Sequence, residues 1–216
     1  LAFQNNTPQL ILSYTAPATI PAGVPKRFHD KPNDYFQWLA RCTQYVDRIN
    51  MMCYDYHGPF NIPKITGVNA PLTRDTSAQS QLYVAKTLQN CLNNNIPANK
   101  IILGMPAFGH TFGGVSGLTQ SDNGPGKSFT GPGELGPSTR SSGLLAYFEI
   151  ADLIAQLKLS FATDTITDTA YGYHIVAGKW VSFDTPNTIK LKSELAKKLL
   201  LKGVMFWSVD LDEYYW

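Results

Sequence analysis

The sequence predicts an α/β fold in which helices cover a parallel sheet, either doubly wound or part of a (β/α) barrel, with a small α+β domain inserted late in the chain. Three observations predict it. Short apolar runs alternate with stretches of helical period, an order that calls for crossover helices between parallel strands. Three of those runs, residues 49–60 (INMMCYDYHGPF), 101–112 (IILGMPAFGHTF) and 203–213 (GVMFWSVDLDE), finish in aromatic and polar side chains. That is how a (β/α) barrel makes its active face. Finally, the texture changes at 113–183 to Gly- and Pro-rich loops followed by short alternating segments, which marks the insertion.

In chain order, 9–15 (QLILSYT) reads as the first strand and the Pro- and Gly-rich stretch after it as a long loop. Residues 35–46 show helical spacing, with Asp34 placed to cap the start. The strand around Met52 follows. Another long loop, containing GVNAPL, leads to an amphipathic helix over 77–92 and then to the strand at Ile101. Within the insertion, GLLAYFEIADLIAQLK reads as a helix, and YGYHIV and KWVSFD as strands. Helical period resumes over 188–201, where the lysines form a solvated face, and 203–209 is the last strand. Four strands of this kind do not close a barrel.

At 216 residues, 44% hydrophobic and 16% charged, the composition is that of a globular domain. No apolar run approaches the roughly 20 residues needed to cross a bilayer, so a membrane-spanning role is not expected. A net charge of +2 with scattered Lys and Arg offers no stripe for a phosphate backbone, which argues against nucleic-acid binding. Cys42, Cys53 and Cys91 match no zinc or CxxC spacing and read as mostly buried thiols, with Cys53 facing the helices if Met52 and Tyr54 face the barrel interior. No ligand cluster points to a metal or organic cofactor.

Taken together and in order, the strand ends resemble glycoside hydrolase family 18, the chitinases and chitinase-like lectins. MMCYDYHG carries the family's MxYD motif as Met52, Tyr54 and Asp55, and GVNAPL resembles the loop segment after it. LGMPAFGHTF resembles the motif of the seventh barrel strand, with Phe108 and His110 standing where the family usually has Tyr and Arg. GPGELGPSTRSSGLLAYFEI resembles the core of the chitinase insertion domain, and KWVSFDTPNTIKLK with GVMFWSVDLDE resembles the last helix and the eighth strand with its tryptophan. The resemblance implies a (β/α)8 TIM barrel of which about the last four strands are present, at 1–112 and 184–216, with the α+β insertion domain at 113–183.

The fourth-strand signature DxxDxDxE, whose glutamate is the family's general acid, occurs nowhere in these residues. The expectation is therefore a truncated or nicked protein, inactive alone, with a companion N-terminal segment or self-association. The implied chemistry is retaining hydrolysis of β-1,4 bonds between N-acetylglucosamine units, in which the substrate's acetamido oxygen attacks the anomeric carbon. Tyr54 and Asp55 would orient and stabilise that group, and Trp207 would form the floor beneath the sugar. Met52 and Met205 would line the pocket around the acetyl methyl, while Phe108, His110 and Glu149 would contact sugar further along the cleft. Replacing an arginine fork by His110 removes bidentate bonding and makes the contact depend on pH. The implied partner is chitin or a chito-oligosaccharide, the alternative to hydrolysis is a lectin that only binds, and the polymeric substrate implies secretion.

Overall fold

Strands and helices alternate because each apolar run can bury its backbone only beside another, and the intervening amphipathic stretches cover the result. The structure, a computed structural model, describes residues 10–18, 31–74 and 83–213. Strands β1 (Ser13–Pro17), β2 (Arg48–Met52), β3 (Ile101–Pro106) and the last strand, β10 (Gly203–Trp207), form one parallel sheet in the order β1-β2-β3-β10. Helices α1 (Pro32–Cys42), α2 (Val84–Asn93) and, beyond an inserted helix α3 (Tyr147–Ala155), α4 (Pro186–Lys198) belong to the crossovers.

The helices pack on one face of this sheet. Ile49 and Met51 of β2 and Ile101, Leu103 and Met105 of β3 meet Tyr35, Phe36 and Leu39 of α1, Val84, Leu88 and Cys91 of α2, and Ala196 of α4. Each Val, Leu, Ile, Met or Phe among these contributes about 1.5–3 kcal/mol by leaving water. Cys53 lies in the same cluster, on the helical side. Alternation along the strands puts Met52, Gly104 and Met205 on the opposite face, and the register sets all three at one level, Met52 and Met205 each paired with Gly104. Here a glycine is required, because a Cβ at 104 would lie 2.5 Å from the Met51 carbonyl oxygen and 2.8 Å from Met205 Cε.

Some local expectations change. Asp34 does not cap α1: the cap residue is Lys31 without a side-chain bond, and Asp34 sits in the first turn. A proline near the helix start supplies a preset φ and has no amide to satisfy, which shifts the start upstream. The second helix begins at Val84, buries Val84, Thr87, Leu88 and Cys91, and the upstream part of its expected span, 77–82, lies outside the described residues.

At Ala107 the chain leaves the parallel sheet and enters a second, antiparallel one without a loop, six residues before the change in composition at Gly113. Strands β4 (Phe108–Gly113), β5 (Gly131–Pro132), β6 (Leu144–Ala146), β7 (Ser160–Asp164), β8 (Thr169–His174) and β9 (Lys179–Phe183) build it in the order β5-β4-β9-β8-β7, with β6 also beside β4. Helix α3 covers one face through Leu145, Ile150, Leu159, Val181 and Phe183. Phe112, Phe129, Tyr171, Tyr173 and Trp180 pack on the other.

The return to the first sheet is fixed by charge. Asp184, just after β9, forms a fully buried ion pair with Lys192 of α4 and accepts a 2.7 Å hydrogen bond from the Thr188 hydroxyl. Burial pushes the Lys192 pKa down, and the Asp184 carboxylate opposes that shift.

Candidate functional site

At the C-terminal end of β2 the chain stops being a strand because the Cys53 amide turns back to the Met51 carbonyl at 2.9 Å. Asp55 then adopts φ 60°, a left-handed conformation that costs a non-glycine residue roughly 1–3 kcal/mol and therefore needs support. Asn69 supplies it. Its side-chain oxygen accepts from the Asp55 amide at 2.8 Å, its carbonyl from the Tyr56 amide at 3.0 Å, and its own amide donates to Ser182 Oγ of β9 at 2.8 Å. Tyr56 anchors the turn to the core by donating to Thr87 of α2 at 2.7 Å.

The turn sends Tyr54 inward, where its ring meets Phe108 of β4 edge-on at 5.7 Å. Met52, Met205, Leu144 and Leu211 pack around this pair together with Ala70. The Tyr54 hydroxyl is buried and has no hydrogen-bond partner among the described residues. Burial, reinforced by the Asp55 charge, pushes its pKa up, so the group is a donor in search of an acceptor throughout the ordinary pH range.

Asp55 instead points where water reaches it: its side chain is 51% exposed, and Oδ1 lies 2.8 Å from Nε2 of the buried His110. The other His110 ring nitrogen, Nδ1, lies 3.3 Å from the Gly143 carbonyl. Phe60 and Phe108 stand edge-on to the imidazole at 5.4 and 5.5 Å. One strand over, Trp207 ends β10 in register with Pro106 and is 55% exposed. Because β2, β3 and β10 are parallel and level, Met52, Tyr54, Asp55, Met205 and Trp207 gather at the C-terminal edge of the first sheet, and β4 brings Phe108 against Tyr54 and His110 against Asp55.

Glu149 does not join them. It is 2% exposed, and its two oxygens take the amides of Ser138 (2.7 Å), Thr139 (3.0 Å) and Ala146 (2.9 Å) and the Thr139 hydroxyl (3.0 Å). A side chain so occupied has no acceptor to spare for a sugar hydroxyl; it caps α3 and ties down the preceding turn. Burial pushes its pKa up, but the Thr139, Ala146 and Ser138 amides and the Thr139 hydroxyl together hold it below its ordinary 4.5.

Sequence reasoning missed Asn69, although it lies in the GVNAPL segment. An asparagine in a loop is an ordinary turn residue until its partners, 14 residues upstream and 113 downstream, are known. A cavity of about 460 Å³ between α3 and the second sheet contains none of the expected site residues, and among the described residues no three His, Cys, Asp or Glu side chains gather as a metal site.

Comparison with known proteins gives a consistent picture. The model of the family described as glycosyl hydrolases family 18 matches residues 2–212. Chitotriosidase-1 of Mus musculus is 36% identical over 179 residues, 82% of this chain and 36% of its own length. The catalytic domain 2 of Ostrinia furnacalis Group II chitinase superposes with TM-score 0.79 at 27% identity, over 96% of this chain and 50% of that one. Human YKL-39, described as a pseudo-chitinase with retained chitooligosaccharide binding properties, superposes with TM-score 0.79 at 27% identity, over 98% of this chain and 55% of that one. The chain thus spans about half the length of these solved structures, and less of that relative.

Proposed function

The chain belongs to glycosyl hydrolase family 18, and from that premise we propose that it is the portion of a chitinase that holds the acetamido group of an N-acetylglucosamine unit while the neighbouring β-1,4 bond is broken. The observation that carries the reading is the left-handed Asp55, half exposed and braced by Asn69 and His110, beside a buried Tyr54 hydroxyl with no hydrogen-bond partner among the described residues. An acetamido group complements this pair: its carbonyl oxygen accepts from Tyr54 and its N–H donates to Asp55. Its methyl group suits the methionine-lined side of the pocket, Met52 and Met205.

In the proposed reaction the acetamido oxygen forms a bond to the anomeric carbon as the glycosidic C–O bond breaks. A carboxylic acid outside these residues protonates the leaving oxygen. Asp55 offsets the positive charge developing on the acetamido nitrogen, and Trp207 offers a flat face beneath the ring. Water then opens the oxazolinium with retention of configuration. On this reading the four parallel strands are the second half of a (β/α)8 barrel and the antiparallel sheet is its inserted domain. The companion half supplies the acid, and the protein acts outside the cell on a polymer. No step requires a metal or organic cofactor.

A second reading is favoured by the likeness to human YKL-39: a chitinase-like lectin that binds chito-oligosaccharide without cleaving it. One experiment separates the two. Chitotriose is titrated against the whole protein by tryptophan fluorescence, and a fluorogenic chitobioside is offered to the same preparation. Binding with turnover supports the chitinase, binding without turnover the lectin, and no binding at all removes both.

A further inference from the structure

We propose that the cavity of about 460 Å³ between α3 and the second sheet is a ligand site in its own right, one that takes a small carboxylic acid with an apolar body. Its volume falls in the range of roughly 300–1,000 Å³ that small-molecule pockets occupy. Strand alternation keeps it apart from the sugar edge. His110 and Thr111 are neighbours on β4, so their side chains leave the sheet on opposite faces. His110 meets Asp55, whereas Thr111 lies opposite Val181, which packs under α3. The cavity is thus independent of the proposed sugar chemistry.

Thr111 is the residue that calls for a ligand. Its backbone is fully engaged: the amide donates to the Gly143 carbonyl at 3.0 Å, and the carbonyl accepts from the Gly133 amide at 3.0 Å. The residue is 6% exposed, and its buried hydroxyl has no hydrogen-bond partner among the described residues. A buried hydroxyl left unmatched is costly, and a polar atom of a molecule seated in the cavity would satisfy it. Gly133, which lines the cavity with Thr111, keeps the approach open, because a Cβ there would fall on the hydroxyl.

The rest of the lining sets the chemistry of the ligand. Leu145, Leu153, Leu159 and Val181 form an aliphatic wall against which an alkyl or aryl body leaves water. Charge favours an anion. Lys158 and Lys179 both line the cavity, while Glu134, the only carboxylate in the lining, is already held by Lys179 at 2.8 Å. Lys158 forms no ion pair among the described residues. His174 adds a donor: its Nδ1 accepts from the Ala177 amide at 3.1 Å, which leaves the proton of the neutral ring on Nε2. A carboxylate accepts from Thr111 in the field of Lys158, and its apolar body lies along the leucines. An alkylammonium of the same size meets like charge.

The test titrates octanoate into the whole protein by calorimetry at neutral pH, with octylammonium as the cationic counterpart. Octanoate is expected to bind saturably and octylammonium not to bind. Thr111→Val keeps the shape and removes the hydroxyl; it should lower octanoate affinity about tenfold without lowering the melting temperature, since no bond inside the protein is lost. Lys158→Glu changes an exposed side chain that folding does not depend on, and should lower the affinity about fivefold.

No octanoate binding by the wild type, equal binding of octylammonium, or full affinity in either variant overturns the site. A lowered melting temperature in Thr111→Val assigns the hydroxyl to the fold and overturns it too. Failure of the wild type to bind chitotriose counts against the sugar reading and leaves these outcomes as they are.

Discussion

Asp55 combines two demands that rarely coincide, a strained backbone and a water-facing carboxylate, and the cost of the first is met by Asn69 rather than by the chain's own preference. Asp55→Asn and Tyr54→Phe are nearly isosteric, so both should leave folding intact while lowering turnover of a fluorogenic chitobioside by about 10²–10³ and changing chitotriose affinity far less. Equal losses in the two measurements would make these residues structural. Asn69→Ala attacks the same site from behind. It removes the acceptor of the Asp55 amide and should lower both thermal stability and affinity, by about 1–3 kcal/mol in stability. A cysteine carries a second readable consequence. Burial pushes the Cys53 thiol up to about 12, against opposing contributions from the Tyr56 hydrogen bond and the Lys192 charge. Its stabilising effect is therefore complete below the ordinary value of 9.0 and fades as pH rises from there to about 12, because the folded state keeps a proton that the unfolded state releases. Melting temperature measured across that window should fall less steeply in Cys53→Ala, and an unchanged slope would place the thiol elsewhere.

Helix α3 shows how an element can conceal the role of a residue. Glu149 stands third in the helix and its carboxylate reaches back to the Ala146 amide, so it organises the 138–146 turn from below. Glu149→Gln should lower stability by about 1–3 kcal/mol above the ordinary carboxylate range, with chitotriose affinity unchanged. The difference between wild type and variant should shrink as pH falls through and below 4.5, since a carboxyl held below its ordinary value stabilises only while ionised. A lost affinity with full stability would return Glu149 to the cleft. The helix α4 is bound to β9 by a different device, the buried Asp184 and Lys192, where removing one partner strands a charge and costs about 3–5 kcal/mol while replacing both with apolar residues costs far less.

For the whole molecule, the first sheet ends in two margins that no other described strand pairs with. Leu10, Ile11 and Leu12 beside β1 are 47%, 58% and 43% exposed, and Val204 and Phe206 on β10 are 41% and 46% exposed. Polypeptide comprising only these 216 residues is expected to self-associate in sedimentation velocity and to show no chitobioside turnover; a monodisperse, active preparation would refute the proposed companion half. Much of this was legible in the sequence. Strand and helix periods fixed the parallel sheet, and the runs ending in Tyr54, Asp55 and Trp207 marked one edge of it, because strand direction alone decides which ends meet. Long-range polar contacts were not legible: Asn69 reaches Asp55 and Ser182 only after the second sheet has closed over the first, and Glu149 looked like surface because amphipathic period says nothing of turn amides nearby. That closure passes through Ala107, whose amide donates to the Trp207 carbonyl at 2.8 Å and whose carbonyl accepts from the Tyr147 amide at 2.9 Å. With both its backbone groups spoken for, this residue is a weld rather than a hinge. Lengthening or shortening the segments at 114–143 can accordingly remodel the loops of the second sheet across generations while the residues gathered at the edge of the first stay in place.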